Sequence, residues 1–209
     1  MIKVIADPGS CHMGNLERAL ELTRVAAACG CDAIKWQLFR DDSNGNIPLN
    51  REWFEALVGS ADIEVFASVW DREAIDLLIR CKCKSIKFSY SQSQNWFSYP
   101  GSQFSHTYVS GDLSTRGWVS RAIKLYCIPL YPVPYLIDFD GLFPRFDGFS
   151  SHCLGIEQDK AAIRAGAKII EKHFQLDDVS ACPDGNFAIR PAKLKELCDY
   201  AHAYEGLMQ

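Results

Sequence analysis

Eight short strand-like runs recur along this chain, each followed by a helical pattern or a compact substitute for one. Strict alternation of this kind points to a parallel sheet, because a helix between two strands supplies the crossover that brings the chain back to the same end. The runs are KVIAD (3–7), DAIKWQLF (32–39), IEVFASVW (63–70), SIKFSY (85–90), HTYVSGD (106–112), IKLYCIPLYP (123–132), DGFSSH (147–152) and KIIEKHFQL (168–176). Eight units predict an α/β fold, a compact (β/α)8 TIM barrel. At 209 residues the chain lies near the lower limit for that fold, so several helices must be shortened. An open doubly wound sheet is the rival, and counting strands does not exclude it.

Helix signals lie between the runs. Asn15 is a good N-cap for a helix reaching Cys29, with Gly30 at the C′ position. Short helices are expected over NREWFEALV (50–58), REAIDLLIR (72–80, capped by Asp71), TRGWVSRA (115–122) and LIDFDGLF (136–143). A helix from about Ile156 to Ala165 stops at Gly166, and a last one starts near Pro191, a residue suited to the first helical turn. Residues 91–106 hold no helix signal. No linker or composition shift divides the chain, so residues 1–209 read as one TIM-barrel domain.

Composition narrows the function classes. With 48% hydrophobic and 23% charged residues the chain can bury a full core. No apolar run approaches the roughly 20 residues of a membrane span. The opening MIKVIADPGS carries Lys3 and Asp7 and lacks the apolar stretch of a signal peptide, so a cytoplasmic protein without membrane contact is expected. A net charge of -4 with no basic block argues against nucleic-acid binding. The nine cysteines, an odd number, fit a reducing compartment better than a disulfide framework. Two Cys-x-Cys pairs, Cys29/Cys31 and Cys81/Cys83, raise a four-thiolate zinc site, but lack the usual Cys-x2-Cys spacing and read better as small apolar residues at helix ends.

Chemistry concentrates on the strands. Alternation puts Lys35 and Gln37 on one face, Lys87 with Ser85 and Ser89, Ser150 with His152, and Glu171 with His173. An ionisable group on a buried strand is costly without a partner, and four such strands are hard to explain by packing alone. His152 and His173 end consecutive strands about 4.8 Å apart, so their imidazoles are placed to converge on one Mn2+, Mg2+ or Zn2+ ion. His12, His106 and His202 read as structural hydrogen-bonders.

IADPGSCHMGNLERALEL followed by CGCDAIKWQLF resembles the opening of the sialic acid (N-acetylneuraminate) synthase family. GFSSHCLGI, GAKIIEKHF with CPDGNFAIRPAKLKEL downstream, YCIPLYPVP, FASVWD and SIKFSYSQ resemble further segments of that family, in register from residue 5 to about 198, with Ser91–Ser120 matching poorly. The resemblance implies a transferase of carbohydrate biosynthesis that joins phosphoenolpyruvate to an N-acylated amino sugar of the N-acetylmannosamine kind, giving a sialic-acid-type product and phosphate. It implies a divalent metal, Mn2+ or Mg2+, on His152 and His173. Lys35 and Lys87 fall on lysines that hold phosphoenolpyruvate, with Ser68, Ser110 and Ser150 on hydroxyl positions of that anion site. Gln37, Tyr131 and Asp184 fall on the sugar side, and Asp7 takes the place of a catalytic glutamate that orients or deprotonates water.

The sequence also departs from the family pattern. Cys11 stands for an asparagine, Tyr90 for a serine near the phosphate, Gln92 for a carboxylate, Pro129 for an asparagine and Ser151 for an aspartate. The sequence ends where the family's antifreeze-like domain would start, so the resemblance implies a homo-oligomer or a separate capping chain. Two alternatives follow: a related enzyme condensing phosphoenolpyruvate with another aldose, and a non-catalytic barrel that binds an anion or a partner protein.

Overall fold

The structure, a computed structural model, describes residues 2–40, 45–92, 103–118, 121–143, 145–178 and 182–207. Its strands are β1 (Lys3–Asp7), β2 (Ala33–Leu38), β3 (Glu64–Val69), β4 (Ser85–Phe88), β5 (His106–Gly111), β6 (Ile123–Cys127), β7 (Gly148–Ser151) and β8 (Ile169–His173). Each pairs in parallel with its neighbours in sequence, and β8 returns to β1 in the register Lys3↔Ile169 to Asp7↔His173. That closure excludes the open doubly wound sheet.

The helices are α1 (Leu16–Ala28), α2 (Phe54–Val58), α3 (Arg72–Arg80), α4 (Glu157–Ala165) and α5 (Pro191–Leu207). Side-chain caps form where the sequence placed them: Asn15 accepts from the Arg18 N–H and Asp71 from the Ala74 N–H. Gly166 ends α4 in the left-handed conformation at φ 116°, as a C′ glycine does. Two expected helices are not there. Residues 136–143 form turns, with the Asp140 N–H bonded to the Asp138 side chain at 2.9 Å, a local bond that competes with helix formation. Phe139 and Leu142 from this segment are still buried, so it covers the barrel as a helix would. Residues 115–118 and 121–122 form no helix either, and the rest of that expected element, residues 119–120, lies outside the described residues. There Asp112 accepts from the N–H groups of Ser114 and Thr115 and closes a tight turn instead.

Alternation divides the buried residues into two layers. Ile5, Ala33, Phe66, Tyr108, Leu125 and Ile169 fill the barrel interior, while Val4, Ala6, Ile34, Trp36 and Ile170 belong to the larger core shared with the helices. Below the interior plug, Lys3 Nζ donates to Glu64 at 2.7 Å and to the Tyr108 hydroxyl at 3.1 Å, and Ser85 also donates to Glu64. Polar residues at this end of a barrel read as stability rather than chemistry.

Burial raises the Glu64 carboxyl, but the bonds from Lys3 and Ser85 outweigh it and hold the group below its ordinary value of 4.5. A carboxyl depressed by folding adds stability that is complete above its unfolded pKa and lost as pH falls through the folded one. At neutral pH the wild type is expected to exceed Glu64→Gln by about 1.5–3 kcal/mol in urea unfolding, the range for hydrogen bonds to a charged group. The gap should close as pH drops below about 4.5; a gap that stays constant down to strong acid contradicts this role.

Candidate active site

The C-terminal ends of the strands open onto a cavity of about 590 Å³. All eleven residues singled out in the sequence line it: Asp7, Lys35, Gln37, Ser68, Lys87, Ser110, Tyr131, Ser150, His152, His173 and Asp184. Their convergence follows from parity, because the inward positions of seven strands or their extensions carry Asp7, Lys35 and Gln37, Ser68, Lys87, Ser110, Ser150 and His152, and Glu171 and His173.

At its base lies a buried ionic network. Lys35 Nζ is 2.5 Å from Asp7 Oδ2 and 3.4 Å from Glu171 Oε1. Lys87 donates to Glu171 Oε1, and the Ser150 hydroxyl donates to the same oxygen at 2.9 Å. These four ionic side chains are all under 5% exposed. Burial lowers Lys35, but Asp7 and Glu171 more than offset it and raise the ammonium above its ordinary value. For Lys87 burial, opposed by Glu171 and reinforced by Lys35, leaves the group below its ordinary value. Burial pushes Glu171 up, and the two lysines bring it down to a net lowering.

Glu171 is the residue that sequence reasoning left out of the site. It shares a face with His173, and that alternation was the one available signal; its role as the bridge between two lysines depends on strands far apart in sequence. Two ammonium groups facing two carboxylates also make the base of the cavity close to neutral. An anionic ligand must therefore compete with Glu171 for Lys87 and draw on the hydroxyls of Ser68, Ser110 and Ser150, which line the same cavity.

Asp7 is heavily engaged. Its oxygens accept from Lys35, from Gln37 Nε2 at 3.2 Å and from the Gly9 N–H at 3.0 Å, and His173 Nε2 lies 3.2 Å from Oδ2. Burial pushes its carboxyl up, but His173 and Lys35 pull it well below the usual carboxylate range. Such a carboxylate is a weak base.

The histidines sit side by side, with ring centroids 5.6 Å apart. His152 Nδ1 faces the Ile128 carbonyl oxygen at 2.8 Å, and a carbonyl only accepts, so Nδ1 carries the proton and Nε2 keeps its lone pair. Burial, with His173 nearby, lowers its pKa to about 3, so the ring is neutral at physiological pH. His173 Nδ1 is buried without a hydrogen-bond partner. Two adjacent imidazoles, one keeping a free Nε2 lone pair, suit an open metal site whose other ligands come from substrate and water. Among the described residues, no group of three or more His, Cys, Asp or Glu side chains is arranged to hold an ion by itself.

Aromatic groups wall the cavity. Tyr131 packs on His152 at 4.0 Å between centroids and Phe187 on His173 at 4.8 Å. Tyr90, on the side where a serine was expected, donates its hydroxyl to Asp112 at 2.7 Å. Asp184 accepts from the Ser10 N–H at 2.7 Å. Gly9 makes that approach possible: a Cβ there would stand 2.1 Å from the Asp184 carboxylate, and its φ of +50° favours glycine as well.

Residues 121–209 match the NeuB family. The matched segment holds β6 to β8, α4 and α5, and with them Ser150, His152, Glu171, His173 and Asp184. Over 93% of its length the chain is 26% identical to an N,N'-diacetyllegionaminic acid synthase of Legionella pneumophila. Over 94% it is 25% identical to the spore coat polysaccharide biosynthesis protein SpsE of Bacillus subtilis. It spans 69% of the first relative and 65% of the second. The fold matches that of the sialic acid synthetase of Leptospira borgpetersenii with a TM-score of 0.86 at 20% identity, over 99% of this chain and 85% of that one.

The cysteines differ from expectation. Cys11 and Cys182 are joined by a disulfide, while the other seven are free. Cys31 lies 3.6 Å from Cys198, a thiol of α5, rather than pairing with Cys81 or Cys83 as the zinc alternative required. Among the described residues no helix is long and apolar enough to cross a membrane.

Proposed function

We propose that this barrel condenses phosphoenolpyruvate with an N-acylated amino sugar, forming a C–C bond and releasing phosphate. The observation that carries the reading is one cavity in which two buried lysines, three serine hydroxyls and two adjacent imidazoles converge at the strand ends of a barrel whose C-terminal part matches the NeuB family.

Lys35 and Lys87 hold the carboxylate and phosphate of phosphoenolpyruvate, with Ser68, Ser110 and Ser150 donating from the barrel wall. Gln37, Tyr131 and Asp184 hold the sugar. His152 and His173 would carry a divalent ion, Mn2+ or Mg2+, which when bound supplies Lewis acidity toward the sugar aldehyde. Carbon 3 of phosphoenolpyruvate attacks the aldehyde carbon, positive charge develops at carbon 2, water adds there, and the tetrahedral centre expels phosphate by breaking its C–O bond. Asp7 orients that water and balances the developing charge; a carboxylate held so far below its usual range is a poor proton acceptor. Positioning and electrostatics therefore contribute most of the rate.

Calorimetric titration with phosphoenolpyruvate in the presence of Mn2+ tests the anion half. The expected result is saturable binding weakened at least tenfold by Lys35→Met, because one lost charge-assisted hydrogen bond is worth about 1.5–3 kcal/mol. Unchanged affinity in that variant rejects the assignment. The charge-balanced base and Tyr90 on the cavity wall favour a second reading, a barrel that binds an anion without turnover. Saturable binding with no phosphate release from any N-acylated aldose selects it.

A further inference from the structure

The disulfide joins the turn after β1 to the segment that lines one side of the cavity mouth. Cys11 lies in the turn after β1, and Cys182 opens the segment that carries Asp184 and Phe187. Their Cα atoms are 5.0 Å apart across a sequence separation of 171. Next to this covalent link runs a non-covalent one, the bond from the Ser10 N–H to Asp184. Besides the packing of Phe187 on His173 and Tyr131, the 182–188 segment is held by short-range bonds: Gly185 N–H to the Cys182 carbonyl, Ala188 N–H to the Asp184 carbonyl, and Gln175 Nε2 to the Gly185 carbonyl, at 2.9, 3.0 and 2.9 Å. Bonds of that kind fix the shape of a loop more than its distance from the rest of the barrel.

We propose that Cys11–Cys182 is a reversible thiol–disulfide clasp that holds the Asp184–Phe187 loop over the mouth and so sets affinity on the sugar side of the site. The inference rests on the functional reading above for its ligand, though not for the clasp itself. Reduction takes two electrons from a dithiol. One thiolate of the dithiol attacks the Cys182 sulfur and the Cys11 thiolate leaves. The second thiol of the dithiol then displaces Cys182 from the mixed disulfide, and each released thiolate takes up a proton. The products are two cysteine thiols and the cyclic disulfide of the reductant. Cys182 is the accessible end, since it is 8% exposed and Cys11 is fully buried. Three of the free cysteines compete poorly in this exchange: burial raises Cys127 and Cys153 to about 11 and Cys83 to about 12, which keeps them as thiols. The lysine end of the cavity does not depend on the clasp, because Lys35 and Lys87 stand on β2 and β4.

The test uses the full chain, alkylated without reductant and mapped by mass spectrometry, then compared with and without dithiothreitol. The clasp predicts a linked Cys11–Cys182 peptide. It predicts amide exchange at least tenfold faster over residues 182–188 after reduction, with β1 and β8 unchanged. It also predicts N-acetylmannosamine affinity falling at least tenfold on reduction while phosphoenolpyruvate affinity stays within twofold, both measured with Mn2+. Cys11→Ser should match the reduced wild type and ignore dithiothreitol. Recovery of both cysteines alkylated before reduction overturns the proposal, as does equal exchange in the two states. If exchange responds and the oxidised protein binds neither ligand, the clasp stands and the synthase reading falls.

Discussion

Lys87→Met is expected to destabilise the barrel by about 3–5 kcal/mol, the cost of breaking a buried ion pair by removing one partner. Glu171 would keep Lys35 at 3.4 Å and Ser150 at 2.9 Å, but its other oxygen is already buried without a partner. The lost ammonium leaves an excess negative charge on a side chain that is 3% exposed. At roughly 2–4 °C per kcal/mol for a domain of this size, the melting temperature should drop by roughly 6–20 °C. The double variant Lys87→Met/Glu171→Gln removes both charges and should recover at least half of the loss, since Lys35 retains Asp7. Thermal and urea unfolding of the three proteins checks the pattern. A single variant within about 1 kcal/mol of the wild type would mean that the network is solvated or rearranges freely.

The second large effect concerns the histidines. Wild type purified with Mn2+ is expected to hold close to one equivalent, and His152→Ala/His173→Ala to hold almost none. Phosphate release should fall at least a thousandfold, because Lewis-acid activation of a carbonyl is worth several kcal/mol and each 1.36 kcal/mol is a factor of ten. Phosphoenolpyruvate affinity, carried by the lysines, should change far less, which separates metal loss from general damage. Equal metal content in both proteins contradicts the assignment.

Much of this architecture is legible in the sequence because strand parity is a short-range property. The alternation in DAIKWQLF is enough to send Lys35 and Gln37 inward and Trp36 outward, and the same rule brings nine of the eleven residues to one cavity, Tyr131 and Asp184 arriving on loops. Caps were equally readable, since Asn15 and Asp71 act on N–H groups three residues away. What escaped depends on long-range context. Residues 136–143 are apolar enough for a helix, but aspartate–backbone bonds give them another way to satisfy the main chain while Phe139 and Leu142 still fill the core. Glu171 reads as one more inward residue until Lys35 and Lys87 arrive from β2 and β4. The Cys11–Cys182 link joins opposite ends of the chain, and an odd cysteine count carries no sign of it.

Two lysines alone would make the mouth locally positive, but Asp7 and Glu171 balance them within the barrel. Specific anion binding then relies on exchanging one carboxylate partner for another, with serine hydroxyls adding direction, rather than on a standing positive field.

Phosphoenolpyruvate labelled with heavy oxygen at the bridging position, incubated with N-acetylmannosamine, Mn2+ and the oxidised protein, tests the central claim most directly. The account predicts phosphate release that requires both substrates, with the label carried into inorganic phosphate, because water attacks carbon 2 and the C–O bond breaks. Label retained in the organic product, or the absence of phosphate release with every N-acylated aldose tried, would contradict it.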